Sequence, residues 1–130
     1  DEHCRINNDL LRVVALMAHG TGTSDSEFFD RALSLVDDSL ARATAYELWD
    51  TVSKCHLYRT YCLMNLKRWK EARLAVAKAA TIRAWGHQLE SIMRDIDEQE
   101  SKEILEELRL LSVDKITSAR KMSFDVCVHR

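Results

Sequence analysis

The chain has no proline and three glycines in 130 residues, and this scarcity limits its fold more than any other feature. Turns and strand ends normally draw on both residue types, so a fold of many short strands is disfavoured. Long helices joined by short polar links satisfy the constraint. We therefore predict an all-α fold, and the length is sufficient for one compact domain with a real core.

The first predicted helix begins at Asn8, whose side chain can cap it, and ends at Gly20. Its apolar stripe is Leu10, Val13, Val14 and Met17. The stretch GTGTSDS that follows holds two of the three glycines. We predict a flexible loop there.

Two later helices are predicted to begin at pairs that have the spacing of a capping box, Ser24 with Glu27 and Thr44 with Glu47. The second helix carries an apolar stripe of Phe29, Ala32, Leu33, Val36 and Leu40. The third is expected to run from about Ala45 to Leu66, with a core stripe of Leu48, Val52, Cys55, Cys62 and Leu66.

A fourth helix is predicted from Trp69 to about Trp85, where Gly86 stops it. Residues 1–130 are expected to form a single helical domain. Its parts are a first helix pair at 8–44, a second pair at 45–86, a third pair at 87–112 and a C-terminal cap or tail at 113–130. The tail is expected to be either a short capping helix followed by an extended segment, or a frayed end.

A weak repeat with an offset of 40 residues links two of these helices. Phe29, Ala32, Val36 and Ser39 correspond to Trp69, Ala72, Val76 and Ala79. Small side chains at such positions allow a neighbouring helix to approach closely. We expect Ala72, Ala75, Ala79 and Ala80 to form a contact face, with the indole of Trp69 filling the space where two helices diverge.

The segment RWKEARLAVAKAA resembles the second helix of a tetratricopeptide repeat, with Trp69, Ala72, Val76 and Ala79 at the matching positions. The preceding helix departs from that pattern, since Thr60 replaces the usual glycine. The resemblance implies antiparallel helix pairs stacked as a short array; a helical bundle is the alternative.

In that family the first helix of each pair lines a groove that binds peptides. The resemblance therefore places Lys54, Leu57, Tyr61, Met64 and Asn65 in a groove. Helical spacing independently puts Lys54, Tyr58, Tyr61 and Asn65 on one stripe, and tyrosine provides contact area with a hydroxyl group. The alternative is that both tyrosines pack against the next helix. We expect a partner-binding site made of Lys54, Leu57, Tyr58, Tyr61, Met64 and Asn65.

Sequence motifs for catalysis, phosphate binding or a bound cofactor are lacking. His3, Cys4, Cys127 and His129 have side chains that bind zinc, but nothing local holds them together, so no metal site is expected. We expect a non-catalytic scaffold that binds a peptide or helix of a protein partner, or that self-associates.

Charge is segregated along the chain. Residues 42–88 hold nine basic and three acidic residues, whereas residues 89–112 hold eight acidic and three basic residues. Attraction between neighbouring elements explains this, as does a bipolar surface that steers a partner. The basic region 54–83 also supports an alternative function, binding of nucleic acid.

The overall net charge of −2 favours neither nucleic acid nor a membrane, and no apolar run approaches the length of a membrane span. Cys55 and Cys62 would lie about 10 Å apart along one helix, too far for a disulfide. We expect reduced thiols and an intracellular location, in the cytoplasm or the nucleus.

Overall fold

The computed structural model describes the backbone of residues 1–128 and the side chains of residues 1–118 and 120. It confirms the all-α prediction with five helices: α1 (Glu2–Thr23), α2 (Ser26–Ala45), α3 (Trp49–Asn65), α4 (Trp69–Ile82) and α5 (His87–Val128). The first four helices each pack against their neighbours in sequence. Because the links between them are short, consecutive helices run antiparallel.

The first helix is longer at both ends than the sequence predicts. Asp1 rather than Asn8 is the N-cap, and its carboxylate accepts a hydrogen bond from the His3 backbone N–H. The predicted loop at 20–26 is mostly helical, because α1 continues to Thr23 and α2 begins at Ser26. The predicted capping box at Ser24 is wrong, since Asp25 caps α2.

The links after α2 and α3 have the same conformation, repeated at an interval of 20 residues. In the first link Glu47 takes a left-handed φ of 55°, its N–H donates to the Thr44 carbonyl, and the Leu48 N–H donates to the Ala43 carbonyl. In the second link Lys67 takes a φ of 59°. The backbone N–H groups of Lys67 and of the next residue donate the two equivalent hydrogen bonds to carbonyl groups of α3. These hydrogen bonds define a Schellman motif, which ends each helix sharply.

The predicted capping box at Thr44 and Glu47 is therefore wrong. Thr44 lies in the last turn of α2, where its hydroxyl donates to the Leu40 carbonyl at 2.7 Å. Glu47 belongs to the link, and α3 begins at Trp49 rather than near Ala45.

The 40-residue repeat corresponds to equivalent buried positions on α2 and α4. On α2, Ala32, Val36 and Ser39 are fully buried. Their counterparts on α4 are Ala72, Val76 and Ala79, each of which is at most 2% exposed. Ala75 is also buried, and Trp69 packs partly against the core. Ala80 is exposed, so its predicted place in the contact face is wrong.

Polar bonds connect each consecutive pair among α1 to α4. Arg42 on α2 forms ion pairs with Glu2 and Asp9 on α1. The Arg59 Nε on α3 donates to the Asp37 carboxylate on α2 at 2.8 Å. The buried Ser53 hydroxyl on α3 donates to the Ala79 carbonyl on α4 at 3.0 Å.

The C-terminal third of the chain differs from the prediction. Residues 87–112 lie within a single helix, α5, where a helix pair was expected, and the same helix continues to Val128 in place of an extended tail. Two compact units result, residues 1–96 and residues 97–130. Ile92 and Ile96 are buried in the core of the first unit.

Within the part of the chain that the structure describes, no helix has both the length and the apolar character that crossing a bilayer requires.

Gly20 marks a close approach of α1 to Phe29 on α2. A Cβ atom added at Gly20 would lie 2.6 Å from the Phe29 ring, whereas one added at Gly22 would meet nothing within 4 Å. We expect Gly20→Ala to lower the free energy of unfolding and Gly22→Ala to raise it by about 0.5–1 kcal/mol through helix propensity. Urea denaturation of both variants checks this. Equal effects would show that α1 and α2 are not in close contact here.

Ala72 provides a second test of close packing. We expect Ala72→Leu to lower the free energy of unfolding by about 1–3 kcal/mol, because the fully buried site has no room for the larger side chain. Ala77→Leu is the matched control, since Ala77 is exposed on the same helix. A neutral Ala72→Leu variant in chemical denaturation would contradict the packing of α4 described here.

Candidate partner-binding surface

Of the six predicted site residues on α3, two are buried in the core and four are at least partly exposed to solvent. Leu57 is 4% exposed and Met64 is 7% exposed, and both belong to the buried core. The prediction that these two side chains face a partner is therefore wrong. Apolar side chains at these positions gain more from burial between helices than a groove would provide. The other four residues remain at least partly exposed.

The four remaining residues form one line along α3, spaced by four, three and four positions. Lys54 and Asn65 at its two ends are exposed, while Tyr58 and Tyr61 between them are half-buried and pack against the core. The Lys54 ammonium lies 5.8 Å from the centre of the Tyr58 ring. The Asn65 side-chain amide donates to the Tyr61 carbonyl at 2.8 Å. We call this line of residues the α3 surface.

Both tyrosines pack against the core and are also partly exposed, so a partner can cover the exposed part of each. Close packing on one part of a side chain restricts its rotamers. An aromatic ring that is already ordered loses little entropy when it binds. The cation over the Tyr58 ring can be exchanged for a partner's group, since such contacts contribute only about 0.5–1 kcal/mol at exposed sites.

A second feature is an open cavity of about 370 Å³, lined by residues of helices α2, α3 and α4. It was not predicted from the sequence. It is lined by Asp37, Leu40, Ala41, His56, Arg59 and Lys78. Arg59 is held by Asp37, whereas the structure records no ion pair for Lys78 among the described residues. Only the tertiary fold brings these three helices together at this point. The cavity can hold an acidic group beside Lys78.

His56 is half-buried in the wall of this cavity. Burial lowers the pKa of its imidazole, the nearby cations Lys78 and Arg59 lower it further, and Asp37 opposes them. Its Nδ1 atom is buried and has no hydrogen-bond partner among the described residues. The neutral imidazole is therefore the favoured form near neutral pH.

Burial also suppresses the reactivity of the cysteines on α3. It raises the pKa of the Cys55 thiol to about 11 and that of Cys62 to about 12. Both thiols are free, as is that of the exposed Cys4. A thiol with so high a pKa forms little thiolate at neutral pH, so neither buried cysteine is suited to act as a nucleophile.

Among the side chains that the structure describes, no group of three or more His, Cys, Asp or Glu residues could hold a metal ion. The terminal set considered from the sequence includes Cys127 and His129, which lie outside the described side chains.

Comparison with protein-family models, with curated protein sequences and with solved structures gave no match. The architecture itself, an array of helices that pack against their neighbours in sequence, is compatible with a helical repeat.

The lowered pKa of His56 predicts a pH dependence of stability. In the unfolded chain His56 has an ordinary histidine pKa of about 6.5, so it is protonated at a higher pH than in the folded chain. As the pH falls below about 6.5, protonation therefore favours the unfolded chain and the free energy of unfolding decreases. We expect His56→Gln to lose less stability than the wild type over this range, measured by urea denaturation at several pH values. His87→Gln, at a fully exposed position, is the control. Parallel curves for His56→Gln and the wild type would contradict the assignment.

Proposed function

We propose that this chain is a non-catalytic helical scaffold that binds a peptide or helix of a protein partner on the α3 surface. The observation that supports it is the line of Lys54, Tyr58, Tyr61 and Asn65, in which two rings are ordered by the core and still partly exposed. Aromatic anchors held in place this way are typical of the residues that dominate binding energy at protein interfaces.

We further propose that α1 to α4 are two divergent pairs of the tetratricopeptide type. Two observations support this: the sequential packing of the helices and the equivalent burial of small residues on α2 and α4. In such arrays the first helix of a pair faces the bound peptide. This supports the choice of α3, the first helix of the second pair, as the helix that carries the proposed surface.

The cavity beside Lys78 is separate from this surface. His56 and Arg59 lie on the side of α3 opposite to the line of Lys54, Tyr58, Tyr61 and Asn65, as the spacing along the helix requires. The cavity therefore adds nothing to the contacts that the α3 surface offers a partner. The free thiols of Cys4, Cys55 and Cys62 support an intracellular location for the encounter.

Nucleic-acid binding through the basic region 54–83 is the weaker candidate. Part of its positive charge is already neutralised within the chain, because Arg59 pairs with Asp37 and Arg68 pairs with Glu71. Phosphate binding would require those pairs to open or to compete with the phosphate groups. Salt separates the two functions, since affinity for a nucleic acid falls steeply with ionic strength.

The test starts from a displayed library of random peptides selected on the immobilised chain. The best peptide is then synthesised with a fluorescent label, and its affinity is measured by fluorescence anisotropy. We expect Tyr61→Ala to weaken binding at least about tenfold, as the loss of an aromatic hot spot does. Tyr46→Ala is the matched control, because Tyr46 is 59% exposed in the link between α2 and α3.

Melting temperatures of both variants separate a binding defect from a folding defect. Tyr61→Phe keeps the ring and its packing, so it should remain folded and report on the hydroxyl alone. Equal affinity of Tyr61→Ala and the wild type would overturn the assignment of the α3 surface. Tight binding of a labelled oligonucleotide that is lost with added salt would favour the nucleic-acid alternative.

A further inference from the structure

The second unit carries an unusual amount of exposed apolar surface. Seven large aliphatic side chains between residues 104 and 116 are each 47–65% exposed: Ile104, Leu105, Leu108, Leu110, Leu111, Val113 and Ile116. Monomeric proteins rarely expose this many large apolar side chains in so short a segment, so the segment is a candidate interaction site.

Three of these side chains define one face of α5. Ile104, Leu108 and Leu111 follow each other in steps of four and three residues, the spacing of the seam between two coiled helices. The same alternation places Asp97 and Ser101 on this face before the apolar residues and Lys115 after them. We call these six residues the α5 seam.

Charge is distributed unequally along the same helix. Residues 97–107 contain six acidic residues and one basic residue, whereas residues 108–120 contain three basic residues and one acidic residue. Two such helices side by side and parallel would place the strongly acidic halves together. An antiparallel pair places the acidic half of each copy beside the basic half of the other, which lowers the electrostatic energy.

We propose that a second copy of this chain covers the α5 seam, and that the two α5 helices pair in antiparallel orientation. When Ile104 of one copy lies beside Leu108 of the other, the spacing also brings Lys115 beside Asp97 of the other copy. Apolar contacts at the centre and opposite charges at both ends thus occur in a single register. The pairing is independent of the α3 surface, which lies in the first unit.

The seam is short. From Asp97 to Lys115 it extends about 27 Å along the helix, and its apolar contacts are confined to the centre. We therefore expect a dimer that dissociates on dilution.

Sedimentation equilibrium of the full chain over a range of concentrations tests the pairing. We expect a reversible monomer–dimer equilibrium, and Leu108→Ser should raise its dissociation constant at least about tenfold because each dimer loses two apolar contacts. Leu74→Ser is the matched control, since Leu74 on α4 is 56% exposed and Leu108 is 55% exposed. A wild-type chain that stays monomeric, or equal effects of the two variants, would overturn the proposal.

Lys115→Glu tests the orientation and leaves the apolar residues intact. In an antiparallel pair the new carboxylate lies beside the acidic half of the other copy, so we expect dimerisation to weaken several-fold. In a parallel pair in register, Lys115 of one copy would lie beside Lys115 of the other. Replacing both lysines by glutamate would then exchange one repulsion between like charges for another, so the dissociation constant would stay the same. An unaltered dissociation constant for this variant would overturn the antiparallel arrangement. Circular dichroism of each variant verifies that its helix content is retained.

Discussion

The close approach of neighbouring helices is the constraint on which the rest of this structure depends. Gly20 on α1 leaves room for the Phe29 ring, and Ala32 on α2 and Ala72 on α4 are fully buried at equivalent positions. Small side chains allow two backbones to come close, and close packing provides the dispersion contacts and apolar burial that stabilise a small core.

Polar bonds then fix how the helices are aligned. Arg42, Arg59 and Ser53 each bond to the neighbouring helix, so they connect α1 to α2, α2 to α3 and α3 to α4 in turn. A buried or half-buried polar group is costly unless it has a partner, and this cost penalises any sliding of one helix along another. The indole N–H of Trp85 extends the last of these contacts by donating to Ser53 at 2.8 Å. The sharp links at Glu47 and Lys67 also help to fix the alignment of the helices, because they end each helix at a defined residue.

A rigid frame of this kind explains why α3 is suited to present side chains. One side of the helix supplies Leu57 and Met64 to the core, and the α3 surface lies on another. The tyrosines share both environments, and their half-burial makes them suitable anchors. The α5 seam differs in character, since its apolar side chains are exposed and the proposed pairing relies on its charges for orientation. The two surfaces are thus two separate candidate sites for assembly.

The sequence by itself determined the helical class, the burial of Val52, Cys55 and Cys62 on α3, and the repeat that relates α2 to α4. These follow from periodic apolar residues, scarce glycine and absent proline, which are local properties of the chain. The helix ends at Ser24 and Glu47 were missed because polar side chains replace the glycine that normally marks a left-handed residue. The turn at Lys67 agrees with the prediction, which ended the third helix at Leu66 and began the fourth at Trp69. Only the tertiary structure decided that Leu57 and Met64 are buried, and only it brought His56, Arg59 and Lys78 to one cavity. Both outcomes depend on which helices become neighbours, and that is set by packing between residues far apart in the chain.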